Sequence, residues 1–259
     1  MNDLRIQIVN YRTLDLLIEC LTSLVPALGP QGLSAVVAVL DNGSGDDLGS
    51  LLDRFPELRL ELHQGRTNVG YGAGHNLLAR GADARFLLLL NPDVRLLDPL
   101  TLHDLIQVAM DLGAQVVGPR LVTGDGQTQR WDHGEIGGWS ARLIASTGNS
   151  LWRERSGEPP LPAAWVAGAA FLIVRRWYDE LAGFDERFFL YKEDEELCLR
   201  VLQNGGRVIY HPGLTVLHHC SAVAVKADHL RNSTDYFLEK HFRTRFGYHF
   251  FRLINAILH

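Results

Sequence analysis

The chain has 259 residues, enough for one large α/β domain with a substantial core. Its composition is that of a globular protein, and a net charge of −5 excludes the basic surface typical of nucleic-acid-binding proteins. The three cysteines are widely spaced and form no zinc-type pair. The sequence therefore predicts no disulfide framework and favours a cytoplasmic location.

The first 120 residues alternate between predicted strands and predicted helices. Short apolar runs predict strands at 4–9, 35–40, 58–63, 86–90 and 114–118. Helices are expected at about 13–24, 71–81 and 99–112. This alternation predicts βαβ units and a mainly parallel sheet, which binds ligands at the carboxyl ends of its strands.

Polar residues follow several of these strands, so the sheet would bring them to one edge. Asn91-Pro92-Asp93 follows the strand at 86–90, and its carboxylate either ligates a hard divalent cation or simply completes a turn. Asp41 either accepts a hydrogen bond from a base or ribose, or closes an Asx turn. Asn68 opens a segment with alternate glycines, which either approaches a phosphate or sugar or only begins a helix.

Residues 123–162 are rich in glycine, serine, proline and tryptophan, which predicts a long loop. Aromatic faces suit sugar rings and apolar aglycones, so we expect an acceptor to bind there. The side chains expected to be exposed in this loop are Trp131, His133, Trp139 and Trp152.

An acidic run, residues 193–196, opens a predicted helix after an apolar segment. These carboxylates either favour the helix dipole or include a general base with a tuned pKa. His218 and His219 end a predicted strand pair at 207–219, and each is either structural or a metal ligand.

Residues 227–259 predict a helix that mixes basic and aromatic side chains. Such a helix lies on a membrane surface, packs on the domain or forms a dimer contact. The sequence has no signal-peptide core and no apolar run near the roughly 20 residues that span a bilayer. Membrane association is therefore expected to be peripheral, if this helix provides it.

Together these segments resemble the inverting glycosyltransferases of family 2, especially the bacterial rhamnosyltransferase-like branch. The resemblance covers about 6–246 and rests on Val9-Asn10-Tyr11, Asp41–Ser44, Asn68–Asn76, Asn91-Pro92-Asp93, Gly168-Ala169, Phe184–Phe189, Glu193-Asp194 and His218. It implies a GT-A type α/β fold with a mainly parallel, mixed central sheet flanked by helices. One catalytic domain would cover 1–226, with a nucleotide-binding part at about 1–120 and an acceptor-binding part at about 121–226. Residues 227–259 would form a C-terminal helical segment.

The resemblance also implies roles for individual residues in holding the donor. The base and ribose would contact Val9, Tyr11 and Asp41. Asn68, Gly70 and Asn91 would line the remainder of the sugar-nucleotide site.

Metal and catalytic roles follow from the same resemblance. Asp93 matches the last residue of the family's D-x-D-type motif and would hold Mg²⁺ or Mn²⁺. Because Asn91 replaces the first carboxylate of that motif, His218 is the expected second ligand. Asp194 matches the catalytic base, while Glu193, with Trp131 and His133, is expected near the acceptor.

The implied activity is transfer of rhamnose or a similar hexose from dTDP-rhamnose or a UDP-sugar to a glycan, lipid-linked or other hydroxyl acceptor. Bacterial polysaccharide or glycoconjugate assembly is the expected setting. Two alternatives stay open: a catalytically silent homologue that binds a sugar nucleotide, and an enzyme acting on a small-molecule or protein acceptor. A nucleotidyltransferase is disfavoured because Val9–Arg12 is not a glycine-rich basic phosphate loop.

Overall fold

Strands and helices alternate over the first half of the chain, as the sequence predicts. The computed structural model describes residues 2–29, 32–135, 150–220 and 227–243. The strands in this half are β1 (Asn2–Asn10), β2 (Ala35–Asp41), β3 (Leu60–Gln64), β4 (Ala84–Leu90), β5 (Val94–Leu96) and β6 (Val116–Val122). Its helices are α1 (Leu14–Leu28), α2 (Ser50–Arg54), α3 (Tyr71–Ala79) and α4 (Thr101–Asp111).

The second half contributes four further strands and three helices within the described residues. They are β7 (His133–Glu135), β8 (Leu161–Val166), β9 (Ala170–Val174), α5 (Arg175–Glu180), α6 (Glu193–Gln203), β10 (Val208–His218) and α7 (Ala227–Phe242). The prediction of a strand pair at 207–219 is wrong, because β10 is one long strand. Its pairing with β6 shifts register between His211 and Thr215, where Pro212 has no N–H to donate to the ladder.

The ten strands form one mixed sheet in the order β3-β2-β1-β4-β9-β6-β10-β8-β7, with β5 on β10. The four strands from β3 to β4 are parallel, and β9 lies antiparallel between β4 and β6. The predicted mainly parallel, mixed sheet is confirmed. Asn10 pairs with Asp41 at the ends of β1 and β2, and Ile8 pairs with Leu90. These carboxyl ends therefore share one edge of the sheet.

Apolar layers cover both faces of the sheet. Successive side chains of a strand point to opposite faces, and β4 accordingly sends Leu88 and Leu90 to one core cluster and Leu87 and Leu89 to another. Burying each of these side chains contributes about 1.5–3 kcal/mol. A strand so buried on both faces fixes the position of the polar residues that follow it.

The C-terminal helix α7 packs on the domain through a small apolar cluster. Phe237, Leu238 and Phe242 are buried together with Phe188. Packing on the domain, one of the three alternatives for this segment, is therefore what the described part of the helix does. Phe246, Phe250 and Phe251, which also suggested a membrane contact, lie outside the described residues. Every helix in the described ranges is too short or too polar to cross a membrane.

Candidate active site

The loops after β1 and β2 are joined by hydrogen bonds centred on Asn10, which is fully buried. Its Nδ2 donates to Asp46 Oδ2 at 2.8 Å, and its carbonyl accepts from the Asn42 N–H at 2.8 Å. Thr13 stands at the start of α1, as predicted, but its hydroxyl donates to Asn10 Oδ1 and does not cap the helix. The two loops thus form one rigid edge.

Asp41 is fully buried at the end of β2, and its carboxylate is already occupied. The N–H and hydroxyl of Ser44 donate to Oδ1, while the Gly45 N–H and Gln64 Nε2 donate to Oδ2 at 3.0 and 2.5 Å. This local arrangement is the turn that the sequence allowed as an alternative. A base or ribose at Asp41 must replace one of these internal donors, so its predicted nucleotide contact stays a prediction.

Asn68 and Gly70 belong to a loop that packs directly against a distant part of the chain. Asn68 Oδ1 accepts from Asn42 Nδ2 at 3.0 Å and from the Gly70 N–H at 2.9 Å. Gly70 has a φ of +92°, and a Cβ there would lie 2.5 Å from the Phe189 carbonyl oxygen. The Tyr71 N–H donates to that same oxygen at 3.0 Å. Only glycine allows the loop to approach this closely.

Another glycine of this segment, Gly74, brings α3 onto β1. A Cβ at Gly74 would lie 2.9 Å from Val9 Cγ1, and Val9 is nearly buried. Tyr11, one residue beyond β1, is partly exposed and lies under the Arg12 guanidinium, 5.1 Å from the ring centre. Gly74 therefore serves helix packing, whereas Tyr11 remains accessible to a ligand.

Asp93 and His218 lie together where β5 pairs with β10. His218 Nε2 is 3.2 Å from Asp93 Oδ1 and 3.4 Å from Asn91 Nδ2, while its Nδ1 is 2.6 Å from Gln129 Oε1. Burial alone would lower the pKa of His218, but the hydrogen bond to Asp93 raises that pKa to about 9. Gln129 was not identified from the sequence, since nothing in its neighbourhood marks it as a partner of a strand 89 residues away.

The neighbouring histidine faces elsewhere. His219 Nε2 lies 3.6 Å from Glu19 Oε2, and only its backbone N–H contacts Asp93, through the carbonyl at 3.0 Å. Successive strand residues point to opposite faces. His218 is accordingly the histidine whose ring meets the Asp93 carboxylate.

The Asp93–His218 pair would give a cation two protein ligands, one carboxylate oxygen and one imidazole nitrogen. In the described part of the chain, no three His, Cys, Asp or Glu side chains come together as a metal site. One carboxylate and one imidazole nevertheless suit Mn²⁺, and the carboxylate suits Mg²⁺. The donor set fits a cation whose remaining ligands come from phosphate oxygens and water.

Asp194 opens α6 and contacts the turn between β8 and β9. Its Oδ2 accepts from the Gly168 N–H at 2.8 Å, and its Oδ1 accepts from the Glu195 N–H at 2.8 Å. The Tyr71 hydroxyl donates to the Gly168 carbonyl at 2.6 Å. Burial raises the pKa of Asp194. A carboxylate held in this way is prepared to accept a proton.

The neighbouring Glu193 is buried, and its Oε2 has no hydrogen-bond partner. Burial, followed by the charge of Asp194, raises the pKa of Glu193 well above its usual range. Burial therefore favours the protonated form of this side chain more than water would.

The predicted exposure of the aromatic loop is only partly correct. Trp131 is 46% exposed, but His133 is fully buried in β7, stacked at 3.8 Å on Tyr210. Its Nδ1 lies 2.8 Å from Asp132 Oδ1, which also accepts from Trp152 Nε1 at 2.9 Å. His133 is buried because its ring stacks on Tyr210 of β10 and contacts the equally buried Asp132, and local sequence does not reveal either contact. Trp139 lies outside the described residues.

The model of the family described as Glycosyl transferase family 2 matches residues 6–182, more than half of the chain. This chain belongs to that family. Within the family 2 match lie Asp41, Asn68 and Asp93, whereas Asp194 and His218 come after it.

Two relatives of this family 2 chain are bacterial. The O-antigen biosynthesis protein RfbC of Myxococcus xanthus is 29% identical over 196 residues, which are 72% of this chain and 15% of that protein. The N-acetylglucosaminyl-diphospho-decaprenol L-rhamnosyltransferase of Mycobacterium tuberculosis is 30% identical over 205 residues, 71% of this chain and 66% of that protein. The chain thus spans under two thirds of the length of each.

Solved structures show the same fold. The mannosyltransferase PcManGT of Pyrobaculum calidifontis, in complex with GDP-Man and Mn²⁺, superposes with a TM-score of 0.67. It is 17% identical, and the match covers 94% of this chain and 66% of that one. This family 2 chain therefore has the GT-A fold expected from its sequence.

Proposed function

We propose that this chain is an inverting glycosyltransferase, which moves a hexose from a nucleoside diphosphate to an acceptor hydroxyl. One observation carries the proposal. The turn between β8 and β9 donates to Asp194 through the Gly168 N–H and accepts from the Asn91 N–H, at 2.9 Å, through the Ala169 carbonyl. Asp194 and the Asn91-Pro92-Asp93 segment are therefore both bonded to this one turn. A donor held at Asp93 and an acceptor held at Asp194 would meet beside it.

The nucleoside belongs at the edge formed by β1 and β2. Tyr11 is partly exposed just beyond β1, Val9 lies near the end of β1, and Asp41 ends the adjacent strand β2. Asn68 and Gly70 form the loop beside it. Open α/β sheets bind ligands at such an edge, which supports this placement.

Asp93 and His218 are the residues that would hold Mg²⁺ or Mn²⁺ against the diphosphate. When bound, such a cation neutralises the charge that builds on the leaving diphosphate. The pair supplies two ligands, so we propose that phosphate oxygens complete the site. A cation would then bind tightly only together with the nucleotide.

Asp194 is the proposed general base. It removes the proton of the acceptor hydroxyl as that oxygen forms a bond to the anomeric carbon from the face opposite the diphosphate. The bond from the anomeric carbon to the β-phosphate oxygen breaks, and the electron pair leaves with the diphosphate. A single displacement inverts the anomeric centre. The raised pKa of Asp194 supports this role because a base near the working pH transfers protons efficiently.

L-Rhamnose is the proposed sugar, with dTDP-rhamnose as donor and a lipid-linked bacterial glycan as acceptor. The name of the mycobacterial relative, a rhamnosyltransferase acting on an N-acetylglucosaminyl-diphospho-decaprenol, supports this choice. Trp131 is exposed next to the β7 strand and would stack on the acceptor. Glu193 would lie beside the base, whereas the full burial of His133 argues against its predicted contact with the acceptor.

Product analysis tests the proposal directly. The purified chain with Mn²⁺ is given dTDP-rhamnose or UDP-glucose and a synthetic N-acetylglucosaminyl diphospho-lipid, and the anomeric configuration of the product is read by NMR. We expect rhamnosyl transfer with inversion, and a loss of about 10²–10⁴ in kcat for Asp194→Asn. Asp111→Asn, an exposed carboxylate on α4, is the matched control and should keep full activity.

Two outcomes would contradict parts of this account. An Asp194→Asn enzyme with most of its activity would remove Asp194 as the base. Binding of dTDP with Mn²⁺ but no transfer to any acceptor, and no release of the sugar to water, would favour the silent sugar-nucleotide-binding alternative.

A further inference from the structure

The segment Phe188–Lys192, which we call the base turn, leads directly into Asp194 and has an unusual backbone. Tyr191 and Lys192 both adopt left-handed conformations, with φ of 69° and 68°. Such conformations are costly for residues other than glycine and persist only when the surrounding structure enforces them. The position of Asp194 therefore depends on whatever holds the base turn.

One side of the base turn is held by residues 68–71, which we call the donor loop. The Tyr71 N–H donates to the Phe189 carbonyl at 3.0 Å, and Gly70 packs against the same carbonyl. This contact fixes only the beginning of the turn. The next carbonyl, that of Leu190, points to a different part of the molecule.

The other side is held by α7. The Ser233 hydroxyl, on a residue that is 6% exposed, donates to the Leu190 carbonyl at 2.8 Å. Phe188 is buried against Tyr236, with ring centres 4.8 Å apart, and His229 stacks on Phe189 at 5.0 Å. Lys240 Nζ bridges Asp185 and Glu196, at 2.7 and 2.6 Å, on either side of the turn. Helix α7 thus contacts the chain before, within and after the base turn.

We infer that α7 completes the active site by holding the base turn, and that Ser233 is a positioning residue for Asp194. The inference rests on the proposed function only in naming Asp194 as the base. The Ser233 hydrogen bond meets the carbonyl immediately before the two left-handed residues. Its loss would let the turn relax and move the carboxylate away from the acceptor hydroxyl.

The chain offers a matched set of variants for the test. Threonine and valine have the same shape, so Ser233→Thr and Ser233→Val crowd the site equally and differ only in the hydroxyl. Thr234→Val is a second control, because the Thr234 hydroxyl is also buried but bonds to Leu230 within α7. It removes a buried hydroxyl from the same helix without touching the base turn.

Hydrogen–deuterium exchange of residues 188–195 and steady-state kinetics are measured for all three variants. We expect Ser233→Val to speed exchange in this segment about tenfold and to lower kcat by about 10- to 100-fold. The KM for dTDP-rhamnose and the affinity for dTDP with Mn²⁺ should stay unchanged. Ser233→Thr should restore both properties, and Thr234→Val should resemble the wild type.

Equal exchange and equal kcat in Ser233→Val and Ser233→Thr would overturn the inference. A loss in Thr234→Val as large as that in Ser233→Val would also overturn it, since the effect would then be general destabilisation. If the wild type transfers no sugar, the proposed function fails, while the exchange data still decide whether Ser233 holds the base turn.

Discussion

Asp93 and Asp194 lie on either side of the same turn, yet the protein holds them in opposite ways. Asp93 follows a strand buried on both faces and stands 3.2 Å from the His218 ring, whose pKa is raised. Asp194 lies in the first turn of α6 beside the buried Glu193 and accepts hydrogen bonds from two backbone N–H groups. Asp93 raises the pKa of the histidine beside it, whereas burial raises the pKa of Asp194 itself. Two carboxylates at one sheet edge thus acquire different chemistry from their partners.

Among substitutions that test the difference between Asp93 and Asp194, the largest effect is expected from Asp93→Asn. Loss of this proposed ligand should lower kcat by about 10³-fold and abolish the Mn²⁺-dependent part of dTDP binding. Asp194→Asn should keep that binding, because the proposed base would contact the acceptor and not the nucleotide. Calorimetric titration of dTDP into both variants, with Mn²⁺ and with EDTA, separates the two roles. Equal dTDP affinities for wild type and Asp93→Asn in Mn²⁺ would show that Asp93 holds no cation.

A smaller effect is expected from Gln129→Leu, which keeps both predicted ligands. Gln129 Oε1 accepts a hydrogen bond from Nδ1 of His218 and so directs Nε2 toward Asp93. Second-shell partners of metal-bound histidines typically change affinity by about 10- to 100-fold. We therefore expect weaker Mn²⁺ affinity in the presence of dTDP, measured by titrating Mn²⁺. Gln127→Leu, an exposed glutamine in the same hairpin, is the control.

The smallest effect concerns stability around the second carboxylate. The folded-state pKa of Glu193 is raised above the ordinary value of 4.5, so the folded protein keeps a proton that the unfolded chain has lost. Stability then falls as pH rises from about 4.5 toward the folded-state pKa. Glu193→Gln removes this loss, so its Tm should match the wild type near pH 4.5 and exceed it increasingly at higher pH.

Thermal unfolding from pH 4.5 to 9 checks this expectation. Glu180→Gln, an exposed residue on α5, serves as the control for the amide substitution. A constant Tm difference between Glu193→Gln and wild type across that range would mean that Glu193 is charged in the folded protein.

Local sequence predicts the surroundings of Asp93 better than those of Asp194. The strands before Asp41 and Asp93 are continuous apolar runs, and a run of that kind has few alternatives to a buried strand. Asn91-Pro92-Asp93 could therefore be placed at the sheet edge. The contact of Gln129 with His218 could not be predicted in this way. Gln129 lies in a hairpin whose path depends on β6 and β10 together.

The second region depends on contacts between distant segments. The acidic run at 193–196 predicted a helix start, which α6 confirms. The left-handed residues before it, and the hydrogen bond from Ser233, arise only when α3 and α7 have docked. His133 was misplaced for the same reason, since its burial depends on Tyr210. Tertiary packing determines each of these positions, and the periodicity of apolar residues along the sequence does not predict such packing.

The close approach of Gly70 to the Phe189 carbonyl has a consequence for exchanging parts between related enzymes. A chimaera joined near residue 120 would take the donor loop from one parent and the base turn from the other. Because a Cβ at position 70 would lie 2.5 Å from that oxygen, the two surfaces must match backbone to backbone. We therefore expect a chimaera to acquire the donor preference of one parent only when residues 184–192 and the first 120 residues both come from that parent. The part of the chain that sets donor preference would then consist of two segments that are separate in sequence.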